Sequence, residues 1–368
     1  MRKKIIIHLI AAARPNFMKV APLYHALKKE LWCVPLIIHT GQHYDPEMSD
    51  AFFQDLNLPR PDYSLGVGSG THAEQTAGVM VAYEKVCFSN RPEWVVVVGD
   101  VNSTMACAIT AKKLCISVAH LEAGLRSRDL TMPEEINRIV TDSISDLLWT
   151  PSADADENLK NEGVAEWRVN RVGNIMIDSF EMLRERIAVD ETARKLGLEG
   201  TQYGVITFHR PVNVDSLGSL TEVVTHLIDI SSTIPLVFPV HPRTRSRLES
   251  FGLWDTLQDA ARIYVVSPLG YIGFMNLVYQ ARLVITDSGG VQEETTYLGI
   301  PCLTLRENTE RPVTVTEGTN KLVSTKNLKS FITDIFDGRF PQGHCPEKWD
   351  GCTSARIVES LKKSCGYC

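Results

Sequence analysis

The chain has 368 residues, a length that accommodates two domains, each able to bury a core of its own. With 44% apolar and 22% charged residues, 24 Gly and 18 Pro, it is neither disordered nor collagen-like, and it is not a disulfide scaffold. Lys and Arg total 38 against 44 Asp and Glu, a net charge of −6 without a long basic run, so neither nucleic acid nor a membrane surface is the expected partner and any bound anion must meet locally placed positive charge.

Met1–Ala13 has the basic, apolar and small-residue zones of a short secretory peptide, but Arg14-Pro15 follow at once and a helix pattern begins near Lys19. A first buried strand is the better reading. No stretch approaches the roughly 18 apolar residues of a membrane-spanning helix, and a cytoplasmic protein is expected. Cys33, Cys87, Cys107, Cys115 and Cys302 lie singly in apolar runs, as reduced core thiols do. Cys345, Cys352, Cys365 and Cys368 with His344 lack the paired short-loop spacing of a zinc site, so no metal is expected.

Short β-branched runs then recur: Ile5–Ala11, Leu36–Thr40, Val95–Val98, Ile116–His120, Val205–Phe208, Leu236–Val240, Ile263–Val266, Leu283–Thr286 and Cys302–Leu305. Strands that are apolar throughout must be covered on both faces, which predicts parallel sheets in an α/β fold. The segment at about 18–29 is helical by pattern, with Val20, Leu23 and Leu27 on one side and Lys19, Lys28 and Lys29 turned away. A weak internal echo relates Val95–Leu114 to Leu283–Leu298, so each half reads as its own doubly wound unit. The expected division is 1–175, 176–343, and a last segment 344–368 whose helix, Trp349–Lys363, packs back on the first unit.

Open α/β sheets bind ligands at the carboxyl ends of their strands. Those positions hold Arg14, Lys19, Gln42, His43, Asp100, His120 and Glu122 in the first half, and His209-Arg210, His241, Ser288-Gly-Gly290 and Arg306 in the second. In Asp287-Ser-Gly-Gly-Val-Gln-Glu-Glu294 two glycines open a helix, so a phosphate can reach free backbone N–H groups, and Glu294 one turn on can accept from a ribose diol. A tight turn with capping Asp and Ser and a solvated Glu fits the same run. Asp100, Glu122 and Glu134 lie in or after apolar segments, where desolvation prepares a carboxyl for proton transfer; capping for Asp100 and an ordinary helix start for Glu134 are the structural alternatives.

Arg14-Pro15-x-x-x-Lys19-x-x-Pro22, Thr40-Gly-Gln-His43, Gly99-Asp100-x-Asn-Ser103, His120-x-Glu-Ala-Gly-Leu-Arg126, Pro133-Glu-Glu-x-Asn-Arg138, Val172-Gly-Asn174, His209-Arg210, Thr286-Asp-Ser-Gly-Gly-x-Gln-Glu-Glu294 and Arg306-x-x-Thr-Glu-Arg-Pro312 occur in order. Together they resemble the non-hydrolysing UDP-N-acetylglucosamine 2-epimerases. The resemblance implies a glycosyltransferase-B-like α/β fold, two Rossmann-like parallel-sheet domains facing a central cleft; closure of that cleft during turnover is expected because a glucal would be lost to water from an open one. It implies interconversion of UDP-N-acetylglucosamine and UDP-N-acetylmannosamine through a 2-acetamidoglucal, without cofactor, by a homodimer supplying precursors for surface polysaccharide. Asp100, Glu122, Glu134 and His209 match the catalytic group. Arg14, Lys19, Gln42, His43, Arg138, Arg210, His241, Ser288, Gly289, Gly290, Glu294 and Arg311 match substrate binders.

Asn16 replaces the usual Glu after Arg-Pro, and His209-Arg-Pro-Val-Asn213 replaces His-Arg-x-Glu-Asn. Gln42-His-Tyr-Asp45 departs from the Gln-His-x-Gln of members activated by a second substrate molecule, so little substrate allostery is expected. Enzymes acting on UDP-diacetamido uronic acids share nearly all these motifs. A hydrolysing epimerase and a UDP-sugar glycosyltransferase are the enzymatic rivals, and a nucleotide-sugar-binding regulator the non-enzymatic one.

Overall fold

The computed structural model describes residues 4–41 and 53–367. The chain divides into two compact units, Met1–Met182 with Glu347–Cys368, and Leu183–Pro346. It passes from one to the other within the helix Ile175–Val189.

The first unit holds a parallel sheet of β1 (Ile5–Ala11), β2 (Cys33–His39), β3 (Tyr63–Ser64), β4 (Trp94–Val98), β5 (Ser117–Leu121), β6 (Leu147–Thr150) and β7 (Val169–Arg171), in the order β3-β2-β1-β4-β5-β6-β7. The second holds β8 (Gly204–Thr207), β9 (Leu236–Pro239), β10 (Ile263–Val266), β11 (Leu283–Thr286), β12 (Cys302–Leu305) and β13 (Asn320–Val323), in the order β10-β9-β8-β11-β12-β13, also parallel. Each winds outward from its first strand, reverses, and continues on the other side. The reversal falls between β1 and β4 in one sheet and between β8 and β11 in the other, which explains the echo between the segments that follow β4 and β11. The expected α/β class of two doubly wound parallel-sheet units is the class observed.

Val95–Val98 and Leu283–Ile285 are at most 1% exposed because helices cover both faces of each sheet. β3, β6 and β13 were not among the expected runs. β3 is two residues long, and β3 and β13 are edges; in β13 Lys321 is half-buried, while Asn320 is buried and satisfied by Thr304, Gln292 and Thr314. The first helix starts at Arg14, earlier than its apolar spacing suggests, because Pro15 serves in a first turn that needs no N–H. The last helix is Thr353–Ser364, starting later than Trp349; Trp349 instead donates its indole N–H to the Pro151 carbonyl at 2.9 Å. That helix belongs to the first unit, where the Ser360 hydroxyl accepts from Trp149 Nε1 at 3.0 Å. Cys115 corrects the thiol reading: it is exposed, at φ +55° just past the helix Asn102–Lys113, while Cys33, Cys87, Cys107 and Cys302 are buried.

Candidate active site

The carboxyl ends of β1, β4 and β5 gather one cluster. Lys19, expected to face solvent, is 8% exposed, and its ammonium pairs with Glu122. The helix Arg14–Lys28 starts directly beyond β1, and its first turns therefore lie over the sheet end rather than in water. Gly99 is the hub. At φ +68°, a Cβ there would lie 3.4 Å from Glu122 Oε2, 3.4 Å from Lys19 Nζ and 3.5 Å from Asn16 Nδ2, so the backbone approaches this group closely. Asn16 accepts from Ala13 N at 3.0 Å and donates to the Val98 carbonyl at 3.1 Å, joining the β1 and β4 ends.

Glu122 is 5% exposed and has φ +74°, a left-handed conformation that costs a non-glycine residue about 1–3 kcal/mol. Its amide and that of Ala123 both donate to the Trp149 carbonyl at 3.1 Å, which anchors the turn. Asp100 does not cap the following helix, whose N-cap is Val101. Its carboxylate instead pairs with Arg138, and its carbonyl accepts from Asn137 Nδ2 at 2.8 Å.

Arg138 lies in the helix Pro133–Ile144, which buries Glu135, Asn137, Arg138, Thr141 and Asp142 and exposes Ile136 and Ile139. The polar face is turned inward, the reverse of an ordinary amphipathic helix. Arg138 is also bound to Glu135 at 2.6 Å, so its guanidinium is committed to protein carboxylates. Burial works against the charge of Glu135, yet the Ser127 amide and Arg138 hold its carboxyl below the usual range. Glu134, in the same first turn, is half-buried.

In the second unit the β8 and β11 ends carry the equivalent cluster. Asp287, 0% exposed, accepts from the amides of His209 at 3.1 Å and Arg210 at 2.9 Å and from Asn213 Nδ2 at 3.0 Å, and His209 Nδ1 lies 3.0 Å away. Burial opposes its ionisation, but His209 and Asn213 hold the carboxyl below the ordinary aspartate value. Asp287 is therefore not a cap, and the Ser288 hydroxyl caps nothing at the start of the helix Gly289–Leu298. A Cβ on Gly289 would lie 2.6 Å from both Arg311 Nη1 and Glu310 Oε1, so any larger residue here has to displace that ion pair.

Beside that start, Glu310 pairs with Arg306 at 2.8 Å and with Arg311, whose Nε lies 2.9 Å from Glu293. Despite burial, Arg311 and Arg306 hold the Glu310 carboxyl far below its ordinary value. Arg210 is weakened as a cation by burial and by Arg306. Glu294 is not solvated: it is 5% exposed and accepts from Tyr271 OH at 2.8 Å. Burial, with Glu293 adding to it and Tyr271 opposing, pushes its carboxyl up to about 8. His241 caps the helix Pro242–Ser250 through Nδ1, and its ring lies 5.6 Å from that of His209.

Lys19, Asp100 and Glu122 are thus brought together in one unit, and His209, Arg210, Ser288, Gly289 and Arg311 in the other. Arg14 opens the first helix. Gln42 and His43, with the loop to Asp45, lie outside the described residues. Glu135, Asp142, Glu293, Glu310 and Tyr271 were not singled out from sequence. A periodic polar stripe at Glu135, Arg138 and Asp142, one helix face, was the signal for two of them.

A sequence model of the family described as UDP-N-acetylglucosamine 2-epimerase matches residues 25–362. The chain belongs to that family. The UDP-N-acetylglucosamine 2-epimerase of Methanocaldococcus jannaschii is 43% identical over 328 residues, covering 87% of this chain and 89% of that one. The UDP-2,3-diacetamido-2,3-dideoxy-D-glucuronate 2-epimerase of Pseudomonas aeruginosa is 40% identical over 362 residues, 96% of this chain and 98% of that one. The crystal structure of the Methanocaldococcus jannaschii epimerase in complex with UDP-GlcNAc and UDP superposes with a TM-score of 0.87 at 40% identity, covering 98% of this chain and 100% of that one. Epimerase membership agrees with the opposite chemistry of the two switch points, carboxylates at one and amide and cationic donors at the other.

Proposed function

We propose that this epimerase-family chain interconverts UDP-N-acetylglucosamine and UDP-N-acetylmannosamine. The observation that carries the reading is the pair of equivalent sheet reversals with complementary equipment: Asp100 and Glu122 beside Lys19 in one unit, and the Gly289 helix start with His209 and Arg210 in the other.

The C2 proton of an acetamido sugar is not acidic enough to leave first. The C1–O bond therefore weakens early, the electron pair goes with the UDP oxygen, and carboxylates stabilise the positive charge on the ring. Glu122, paired with Lys19, takes the C2 proton as C1 and C2 form the 2-acetamidoglucal double bond. Half-buried Glu134 returns a proton to C2 on the other face, and the UDP oxygen re-forms its bond to C1. His209, with Nδ1 committed to Asp287, offers Nε2 to the diphosphate, and the free amides at Gly289 and Gly290 hold the negative charge. Arg138 and Arg311 act through Asp100 and through Glu310 and Glu293, as positioning residues.

Incubation with UDP-N-acetylglucosamine in heavy water tests this directly. Deuterium at C2 with accumulation of UDP-N-acetylmannosamine is the expected result; absence of exchange rejects the chemistry, and free N-acetylmannosamine with UDP marks hydrolysis instead. The Pseudomonas aeruginosa relative supports a second reading, a UDP-diacetamido uronate as substrate. Exchange with that sugar alone would select it.

Glu294 is proposed to hold the ribose diol. Its carboxyl titrates at about 8, so it is protonated at neutral pH and becomes a two-way acceptor only as pH rises through that value. UDP affinity is expected to increase from about pH 7 to about pH 9 in the wild type and to stay flat in Glu294→Gln, as measured by titration calorimetry.

A further inference from the structure

His120 is 0% exposed, and both of its ring nitrogens meet acceptors: Nδ1 lies 2.6 Å from an Asp142 carboxylate oxygen and Nε2 lies 2.8 Å from the Gly99 carbonyl oxygen. A carbonyl only accepts, and so does an ionised carboxylate. Burial opposes the ionisation of Asp142, but its second oxygen faces the Arg126 guanidinium at 2.8 Å and accepts from the Gly124 amide at 3.0 Å, and its carboxyl is held below the ordinary aspartate value. With Asp142 ionised, only a ring protonated at both nitrogens donates to both acceptors.

Asp142 does more than pair with this ring. Its second oxygen accepts from the Gly124 amide at 3.0 Å and lies 2.8 Å from Arg126, whose guanidinium is also bound to Glu162 at 2.6 Å. The carboxylate thus holds the chain on both sides of Glu122, at His120 and at Gly124. Through the His120 ring it also holds the Gly99 carbonyl, one residue before Asp100. The left-handed Glu122 backbone persists only where its surroundings over-determine it, and these bonds, with the two amides on the Trp149 carbonyl, supply that constraint.

We propose that Asp142 is a positioning residue: through the His120 imidazolium and the Gly124 amide it locks the turn presenting Asp100 and the strained loop presenting Glu122, so that both carboxylates are set before substrate arrives. The inference rests on the acid–base reading of those two residues. Asp142 touches neither directly, and its effect is on geometry alone.

In Asp142→Leu, a side chain of similar size with no polar atoms, the acceptors facing His120 Nδ1 and the Gly124 amide are both removed. The turnover number for C2 exchange is expected to fall on the order of 100-fold, the scale of an ångström-sized misplacement of reacting groups. KM for the UDP-sugar and the calorimetric Kd for UDP stay within about a factor of 2, since the diphosphate is held by other residues. Turnover within about 3-fold of wild type overturns the proposal, as does a loss shared equally between turnover and UDP binding. The 15N spectrum of the ligand-free wild type decides the matter even if the variant does not fold. One imidazole, identified by slow solvent exchange, must show both nitrogens bonded to hydrogen; a single neutral tautomer at that ring refutes the clamp. Absence of C2 exchange in the wild type would reject the functional reading while leaving this spectroscopic test in force.

Discussion

Glu122→Gln is expected to reduce C2 deuterium exchange by about 10²- to 10⁴-fold, the range for removing a positioned proton-transfer group. The amide matches the carboxylate in shape but neither takes the proton nor carries the charge that the ring needs. Stability should fall as well, because Lys19 loses its counter-charge while its side chain stays only 10% exposed. Breaking a buried pair from one side costs about 3–5 kcal/mol, mostly through the stranded ion. Combining Glu122→Gln with Lys19→Met removes that stranded charge, so the double variant should melt higher than the single one and still be inactive. The separation matters: an exchange rate restored together with stability would show that Glu122 serves only the fold, and the base would have to be sought elsewhere. Calorimetry and heavy-water NMR on the same samples read both quantities.

The second large effect is expected at Asp287. Its carboxylate satisfies the His209 and Arg210 amides, the Asn213 amide group and the His209 ring, all in a 0% exposed position. Asp287→Ala leaves these donors facing a void, and the loss should amount to about 3–5 kcal/mol, or roughly 10 °C in melting temperature for a unit of this size. UDP binding should disappear with it, because the loop carrying His209 and Arg210 has lost its anchor. The pH dependence has a definite sign. The folded-state pKa lies below the ordinary value of 3.8, so the unfolded chain takes up protons first. The contribution of Asp287 is complete above about pH 4 and is lost as pH falls through the folded-state value. Wild type should therefore lose stability steeply in acid, and the variant should lose less over the same interval. Parallel acid profiles would show that the carboxylate is not the anchor described.

Most of the buried strands were legible in the sequence for a simple reason. A central parallel strand needs apolar residues on both faces, and runs such as Val95–Val98 and Leu283–Thr286 display that need without reference to anything distant. Asn320–Val323, an edge strand that opens on Asn and Lys, shows no such run, whereas the interior strand Leu147–Thr150 is buried throughout and was missed although three of its four residues are apolar. The site was legible where a motif puts small or charged residues directly after such a run, as with Asp100, Glu122 and Ser288. It was hidden where the partner comes from a remote helix. Lys19 looks like a solvent-facing lysine until Glu122, a hundred residues further on, is placed against it. The helix Pro133–Ile144 reads poorly as a packed element because its buried face is the charged one.

The order of apolar runs and short polar turns determined the α/β class, the parallel winding and the rim on which polar residues collect, since these depend on period and chain order alone. The spacing of the motifs determined the family. The charge state and purpose of each polar residue were decided only by tertiary structure. Arg138 and Arg311 are committed to carboxylates, Glu294 is buried against Tyr271, His120 is buried between Asp142 and the Gly99 carbonyl, and Glu122 takes a left-handed backbone. Electrostatics and hydrogen bonding act through distance in space, and in a doubly wound sheet the neighbours at a strand end arrive from widely separated parts of the chain.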